Sequence, residues 1–505
     1  MKIFFRLLSA LFILTPLVAP SVSTQPALAS GESRTARHFD SIKTRPLLLA
    51  AFLREMPKGG DLHNHLSGAI YAESFIKWGA EADACLDTAT MSAIPCRAGT
   101  ISMKDVVANP VIYRAVIDAW SMRNYELSGQ SGHDHFFDTF GKFGYAGNDR
   151  AGDMLAEAVG LAARDNVLYL ELMMTPDEGR VAGLGRKIGW NSDFATMRNR
   201  LLAEGLRDSL KVAVSGLNRW EGRMRELLNC SGAGGGEGCD IPVRYLYQVG
   251  RGLAPEMVFA QILAGFEMAE LDPRFVGFNL VMPEDYPVPI RDFTLHMEII
   301  NFLRPLYKKA HISLHAGELA PGLVPPDELC CHIRQSVELG HAERIGHGVD
   351  VAYEDDPFGL LKLMADRNVM VEICLTSNEV ILGVTGQHHS LHLYQAHGVP
   401  TALATDDEGV SRIDLTHEFV KAVRDHGLSY LDLKAMARTS LEHSFLPGKS
   451  IWSDAKSFTL VPECSGNTLG SAKQTPSCKA YLEANEKARL QWELEKRFGE
   501  FEGGS

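Results

Sequence analysis

The 505-residue sequence is short of basic charge: 50 lysines and arginines face 63 aspartates and glutamates, for a formal charge of −13. Polyanion binding needs phosphates to be neutralised by Lys and Arg, so this balance argues against nucleic acid as a partner and leaves small neutral molecules open. Cysteine is present nine times but never as a CxxC pair, which removes a cysteine-held metal from consideration. Beyond residue 29 no apolar run approaches the length of a membrane helix. No repeat of solenoid type is present. What remains, 45% hydrophobic and 22% charged, is ordinary globular composition.

The first 29 residues stand apart. Lys2 and Arg6 precede an apolar run from Leu7 to Val18, and Ala27-Leu28-Ala29 supplies the small residues of a signal-peptidase site. A run of about a dozen residues is short for a membrane span, so the segment is expected to be a signal peptide cleaved after Ala29. The mature protein, residues 30–505, is then expected to be periplasmic or secreted, with no membrane span and a charge of −15. The cysteines suit an oxidising compartment: Cys85 with Cys96, Cys230 with Cys239, and Cys464 with Cys478 are close in sequence and flanked by turn residues. Cys374 lies in an apolar run and is read as a buried thiol. Adjacent Cys330 and Cys331 receive no role.

Eight short apolar runs are predicted as strands: Asp61–Leu66, Val167–Met173, Val243–Val249, Phe275–Val281, Ile312–His315, Arg344–Gly348, Val369–Leu375 and Thr401–Thr405. The segments between them are long enough for crossover helices. Eight such repeats predict an α/β fold, a (β/α)8 TIM-type barrel in one domain of residues 30–505. Lys211–Val214 also has strand character. Residues 81–132 read as an insertion after the first strand, and residues 229–240, with Gly234-Gly235-Gly236, as a surface loop. His133-Asp134-His135 follows Gly129–Gly132 without a strand and is placed on the surface. Phe140 and Phe143 are read as the packing face of an amphipathic helix, with a lid over a ligand as the alternative. The charged tail from about residue 479 to 505 is expected to be a solvated helix.

The unusual polar residues fall at the C-terminal ends of these strands, the face of such a barrel where catalysis takes place. His63 and His65 alternate with Asn64, so both project to one side, about 7 Å apart along the backbone, and could share a metal ion. Hydrogen bonding at a barrel mouth would equally explain the pair. His315-Ala316-Gly317-Glu318 adds a third imidazole, a glycine that permits close approach, and an acid for which capping the following helix is the alternative reading. Gly346 and Gly348 clear space around His347. Asp406-Asp407-Glu408 is costly after an apolar strand without a cation, proton donors or a helix N-terminus nearby. Taken together, three histidines and an aspartate from strands one, five and eight make a site suited to zinc.

In this combination and order, Met56-Pro57-Lys58 with Asp61 to Gly68, His315-Ala316-Gly317-Glu318, Arg344-Ile345-Gly346-His347-Gly348 and Thr405-Asp406-Asp407 resemble the motifs of the adenosine deaminase family over roughly residues 50 to 450. The export signal and the cysteine-bearing insertion resemble its secreted, growth-factor-related branch. The resemblance implies one Zn2+ per chain on His63, His65, His315 and Asp406, activating a water for attack on purine C6. It implies that His347 orients that water and takes part in its deprotonation, that Glu318 donates a proton to N1, and that Asp407 bonds N7. The substrate would be a small purine nucleoside, adenosine or 2′-deoxyadenosine, converted to inosine and ammonia.

Around the substrate the sequence departs from the family. Ser67, beside Gly68, stands where an aspartate usually meets the ribose. Met282 replaces the glycine whose N–H serves N3, and Met173 replaces an arginine. A deaminase of another 6-aminopurine and a growth-factor-like binding protein of the same fold are the alternatives. A binuclear hydrolase is disfavoured because Phe275–Val281 contains no lysine, and the cytidine-type signature, HxE with PCxxC, is absent. No Arg/Lys cluster accompanies the motifs to hold a phosphate. Dimerisation through the insertion or the tail stays open.

Overall fold

The computed structural model describes residues 30–232 and 235–503; the signal segment and Gly234 lie outside the described residues. Eight strands, here β1 to β8, run parallel in one sheet: Gly59–His65, Val167–Met174, Val243–Gly250, Phe275–Val281, His311–Ala316, Arg344–His347, Met370–Ile373 and Thr401–Leu403. All eight were legible as apolar, β-rich runs, because barrel strands are buried on both faces and carry no alternation to blur the signal. The ladder passes from each strand to the next in chain order. It closes between β1 and β8 through a parallel bridge from Asn64 to Asp406, with His65 N donating to Asp406 O at 3.0 Å and Asp406 N to His63 O at 2.8 Å. The closing seam therefore brings the two ends of the barrel motif sequence into direct hydrogen bonding. The chain is a (β/α)8 barrel.

Three expectations change. Lys211–Val214 lies inside a helix, Leu206–Leu227; Leu206, Leu210, Ala213 and Leu217 are buried at helical spacing, which overrides a four-residue strand signal. His133 and His135 are not on the surface. They lie on the helix Gly132–Phe143, capped by Ser131, whose hydroxyl accepts from Asp134 N, and both are buried. The tail is not solvated: in Glu486–Gly503 the side chains of Leu490, Trp492, Leu494 and Phe498 are buried. Lys434 and Arg438 hold its Glu502 and Glu495 at 2.5 and 2.6 Å.

The insertion carries a three-stranded antiparallel sheet, Cys85–Asp87, Ser92–Ile94 and Ile101–Ser102, stapled by Cys85–Cys96. Cys230–Cys239 and Cys464–Cys478 are likewise joined. The unassigned neighbours Cys330 and Cys331 are bonded to each other, and Cys374 is a free, buried thiol. Among the described residues no helix is long and apolar enough to cross a membrane.

Candidate active site

Four side chains from β1, β5 and the end of β8 meet at one point. His63 Nε2 lies 3.1 Å from His315 Nε2, and His65 Nε2 lies 3.2 Å from it. Asp406 Oδ1 stands 3.4 Å from His63 Nε2 and 3.3 Å from His65 Nε2. The far nitrogen of each ring is engaged by an oxygen: His63 Nδ1 with Glu372 Oε2 at 2.6 Å, His65 Nδ1 with Gln248 Oε1 at 3.1 Å, His315 Nδ1 with Asn279 Oδ1 at 2.9 Å. The Asn279 oxygen is pinned because it also accepts the His315 backbone N–H at 2.8 Å. Oxygens of this kind only accept, so each Nδ1 donates and each neutral ring turns an Nε2 lone pair inward. Three lone pairs and a carboxylate facing one another repel unless a cation sits between them.

The electrostatics agree. Burial opposes charge on His63, yet the flanking Asp406 and Glu372 carboxylates raise its pKa to about 10, and protons thus compete for a place a metal would take. Burial, with His63, His347 and His65 around it, drives His315 well below its usual value. Despite its burial, Asp406 is held well below the carboxylate range by hydrogen bonds from His63 and His65. A donor set of imidazole nitrogens and one carboxylate fits a metal ion of the zinc type.

Glu318 follows β5 in the loop beside this point. Its backbone N–H and that of Gly317 donate to the two oxygens of Glu284 at 2.8 and 3.1 Å, and it caps no helix, since the next α-helix is His332–Glu338. Burial, reinforced by Asp406, pushes its pKa well above the usual carboxylate value, which favours its protonated form. Burial likewise raises Asp407 to about 8, with His65 opposing and Asp406 assisting, and its buried Oδ1 has no hydrogen-bond partner. Positive φ at Met282 (84°), His347 (68°) and Asp406 (60°) marks a strained rim, as functional sites often show.

The glycines serve a purpose the sequence does not reveal. A methyl on Gly346 would stand 2.5 Å from His63 Cε1, and one on Gly348 2.5 Å from Tyr394 Oη; on Gly317 it would strike Asp350, and on Gly68 it would fall inside the Asp407 carboxylate. They make room for these side chains, and Gly68 faces Asp407.

A cavity of about 330 Å³ opens over Glu318, Asp406 and Asp407, and Ser67 and Met282 help to line it. The helix Gly132–Phe143 forms its roof with Phe136, Phe137 and Phe140. Phe143 stacks on Phe75 at 4.4 Å instead, so only part of this aromatic face packs on the barrel. Met173 is buried with Leu246, Val276, Val281 and Phe445. The guanidinium near the site belongs to Arg251, which donates to Met282 O at 2.9 Å and His315 O at 3.0 Å.

Glu372, Asn279, Gln248, Glu284 and Arg251 escaped the sequence reading. A signal did exist for two of them, since Glu372 and Asn279 are polar residues inside otherwise apolar strands, a placement that is costly unless they are partnered.

The parallel barrel thus carries, at the C-terminal ends of its strands, a buried group of side chains that could hold a metal ion. A family model described as adenosine deaminase matches residues 222–452. An adenosine deaminase of Escherichia coli (strain SMS-3-5 / SECEC) is 39% identical over 137 residues, 27% of this chain and 38% of that protein. One from Clostridium perfringens is 31% identical over 157 residues, 29% of this chain and 44% of that protein; the chain spans less than half the length of these curated relatives. In fold it is similar to the apo N6-methyl-AMP deaminase from Arabidopsis thaliana (22% identity, 78% of this chain and 94% of that one, TM-score 0.50). An arabidopsis ADAL complexed with IMP is also similar (22%, 78% and 93%, 0.52). Over residues 222–452 the chain is similar to the adenosine deaminase family.

Proposed function

We propose that this protein is an exported, zinc-dependent deaminase of a 6-aminopurine nucleoside, taking adenosine or 2′-deoxyadenosine to the inosine counterpart and ammonia. The observation that carries the reading is the convergence of three Nε2 lone pairs and the Asp406 carboxylate beside a buried acid, Glu318, whose protonated form burial favours. When bound, zinc supplies Lewis acidity that lets water lose a proton near neutral pH. The chain's own groups complete the chemistry. Glu318 donates its proton to N1, which makes C6 of an otherwise poor electrophile open to attack. Asp407, protonated at neutral pH, donates to N7 from a carboxyl whose other atom awaits a partner. The Phe136, Phe137 and Phe140 roof keeps bulk water from the reacting carbon.

A nucleoside is favoured over a nucleotide because no lysine or arginine is found among the described lining residues, and a phosphate would lack a cationic partner. His133, whose ring lies 4.9 Å from that of Phe137, is already engaged by Asp285 at 2.9 Å. Met282 favours a second reading within the same chemistry, since its side chain narrows the wall where family members carry glycine; a different 6-aminopurine would then be preferred. The three local disulfides support export to an oxidising compartment.

Purified residues 30–505, tested by ultraviolet absorbance against a panel of 6-aminopurine nucleosides and bases, should deaminate adenosine, lose activity to a chelator and regain it with zinc. Glu318→Gln should lower kcat by about 100-fold or more. No turnover of any 6-aminopurine by zinc-replete protein would overturn the reading.

A further inference from the structure

His347 differs from the other three histidines in how its outer nitrogen is held. Its Nδ1 faces the amide nitrogen of Asn378 at 3.0 Å, and Asn378 Oδ1 faces His389 Nε2 at 3.0 Å. The direction of this row is fixed at its far end, where the Leu391 backbone N–H donates to His389 Nδ1 at 3.0 Å. A main-chain N–H cannot accept. His389 therefore carries its proton on Nε2 and donates to Asn378 Oδ1, the amide turns its N–H toward His347, and His347 Nδ1 holds a lone pair. The proton of the neutral ring is left on Nε2, a buried atom with no hydrogen-bond partner, 3.7 Å from Glu318 Oε1. A second proton on Nδ1 would set N–H against N–H. Relief would require turning Asn378 and then His389 against the Leu391 N–H.

The row is buried from end to end. Ser390 Oγ and Tyr394 Oη both donate to Gly348 O, at 3.0 and 2.7 Å, fastening the segment that carries His389 to the strand end that carries His347.

We propose that Asn378 and His389 are positioning residues that hold His347 as a fixed Nε2–H donor, so that His347 grips the oxygen attacking C6 instead of removing its proton. The catalytic half of this statement rests on the deaminase reading; the tautomer does not. A nitrogen that bears hydrogen has no lone pair for a cation. His347 therefore stays outside the ligand set, although it lies in one cluster with His63, His315 and Asp406. The proton of the attacking water passes to a carboxylate of the site, of which Glu318, emptied by protonating N1, is the one that faces His347.

Ring-15N histidine labelling of the zinc-loaded and metal-free protein reads the tautomer directly, with the His347 signals assigned by their loss in His347→Ala. The native ring should carry its proton on Nε2 at neutral pH. Asn378→Asp offers acceptors on both sides and should move that proton to Nδ1, with kcat falling about 100-fold, as for loss of one oxyanion donor, and KM little changed. His389→Gln, which keeps an N–H toward Asn378, should retain the native tautomer and most of kcat, whereas His389→Leu should not. A proton on Nδ1, or on both nitrogens, in the native protein would overturn the proposal, and so would a folded Asn378→Asp with native kcat. Should that variant not fold, the native spectrum decides alone. Should the protein deaminate nothing, the deaminase reading falls while the tautomer is still read.

Discussion

Glu372 shows how a residue far from any substrate can govern the chemistry. Its Oε2 accepts from His63 Nδ1 at 2.6 Å, and its Oε1 accepts from Ser313 Oγ at 3.0 Å and lies 2.6 Å from Arg344 Nε. Burial alone would raise its pKa, but Arg344 and His63 hold it at about 2, so it is charged at every working pH and keeps the His63 ring aimed. Glu372→Gln should weaken zinc binding about 10- to 100-fold, measured by competition with a chromophoric chelator; an unchanged affinity would remove this role. Gly68 makes the complementary point. Because its methyl would occupy the space of Asp407 in a close-packed interior, Gly68→Ala should raise KM for the proposed nucleoside substrate while metal content stays that of the native protein.

At the scale of an element, the helix Gly132–Phe143 decides how closed the cavity is. Its first turn is latched to the barrel by His133 Nε2 and Asp285 Oδ1 at 2.9 Å. Burial opposes the charged ring, but Asp285 and Asp134 raise His133 to about 8 from 6.5. A raised pKa means the latch contributes in full below about pH 6.5 and is lost as pH rises through 8. Amide protection factors in this helix, which discount the intrinsic base-catalysed rate, should therefore fall across that window, and Asp285→Asn should flatten the dependence; equal protection on both sides of pH 8 would discount the latch. The same helix explains why His133 and His135 misled the sequence reading. A glycine-rich approach looks like a loop, yet Ser131 caps a helix immediately after it, and what buries its face is supplied by distant segments, Asp285 among them.

For the whole molecule, the C-terminal helix is part of the core. Leu490, Leu494 and Phe498 join the main hydrophobic cluster, and removing large buried side chains of this kind costs about 2–5 kcal/mol each. The sum rivals the entire stability of a typical domain, about 5–15 kcal/mol. A chain ending at Asn485 should therefore lose its cooperative thermal transition, followed by circular dichroism. Charge alone predicted a solvated tail, because Glu and Lys on one face of the helix hide, in composition, the apolar side chains of the other.

The eight strands, their order and the four side chains that converge at the rim were all readable from the linear chain, since barrel strands are apolar throughout and unusual polar side chains collect at their ends. The supporting shell was not. Nothing local marks Asn378 and His389 as a proton-orienting row, or assigns Gly346 to His63, because those relations exist only once the barrel closes, setting β1 across from β6 and the segment after β7 against the end of β6. Hydrogen-bond direction is a property of neighbours in space. The sequence by itself determined which groups could hold a metal and protonate a ring; the tertiary structure decided which nitrogen of each histidine faces that point, because only packing fixes what sits behind the ring.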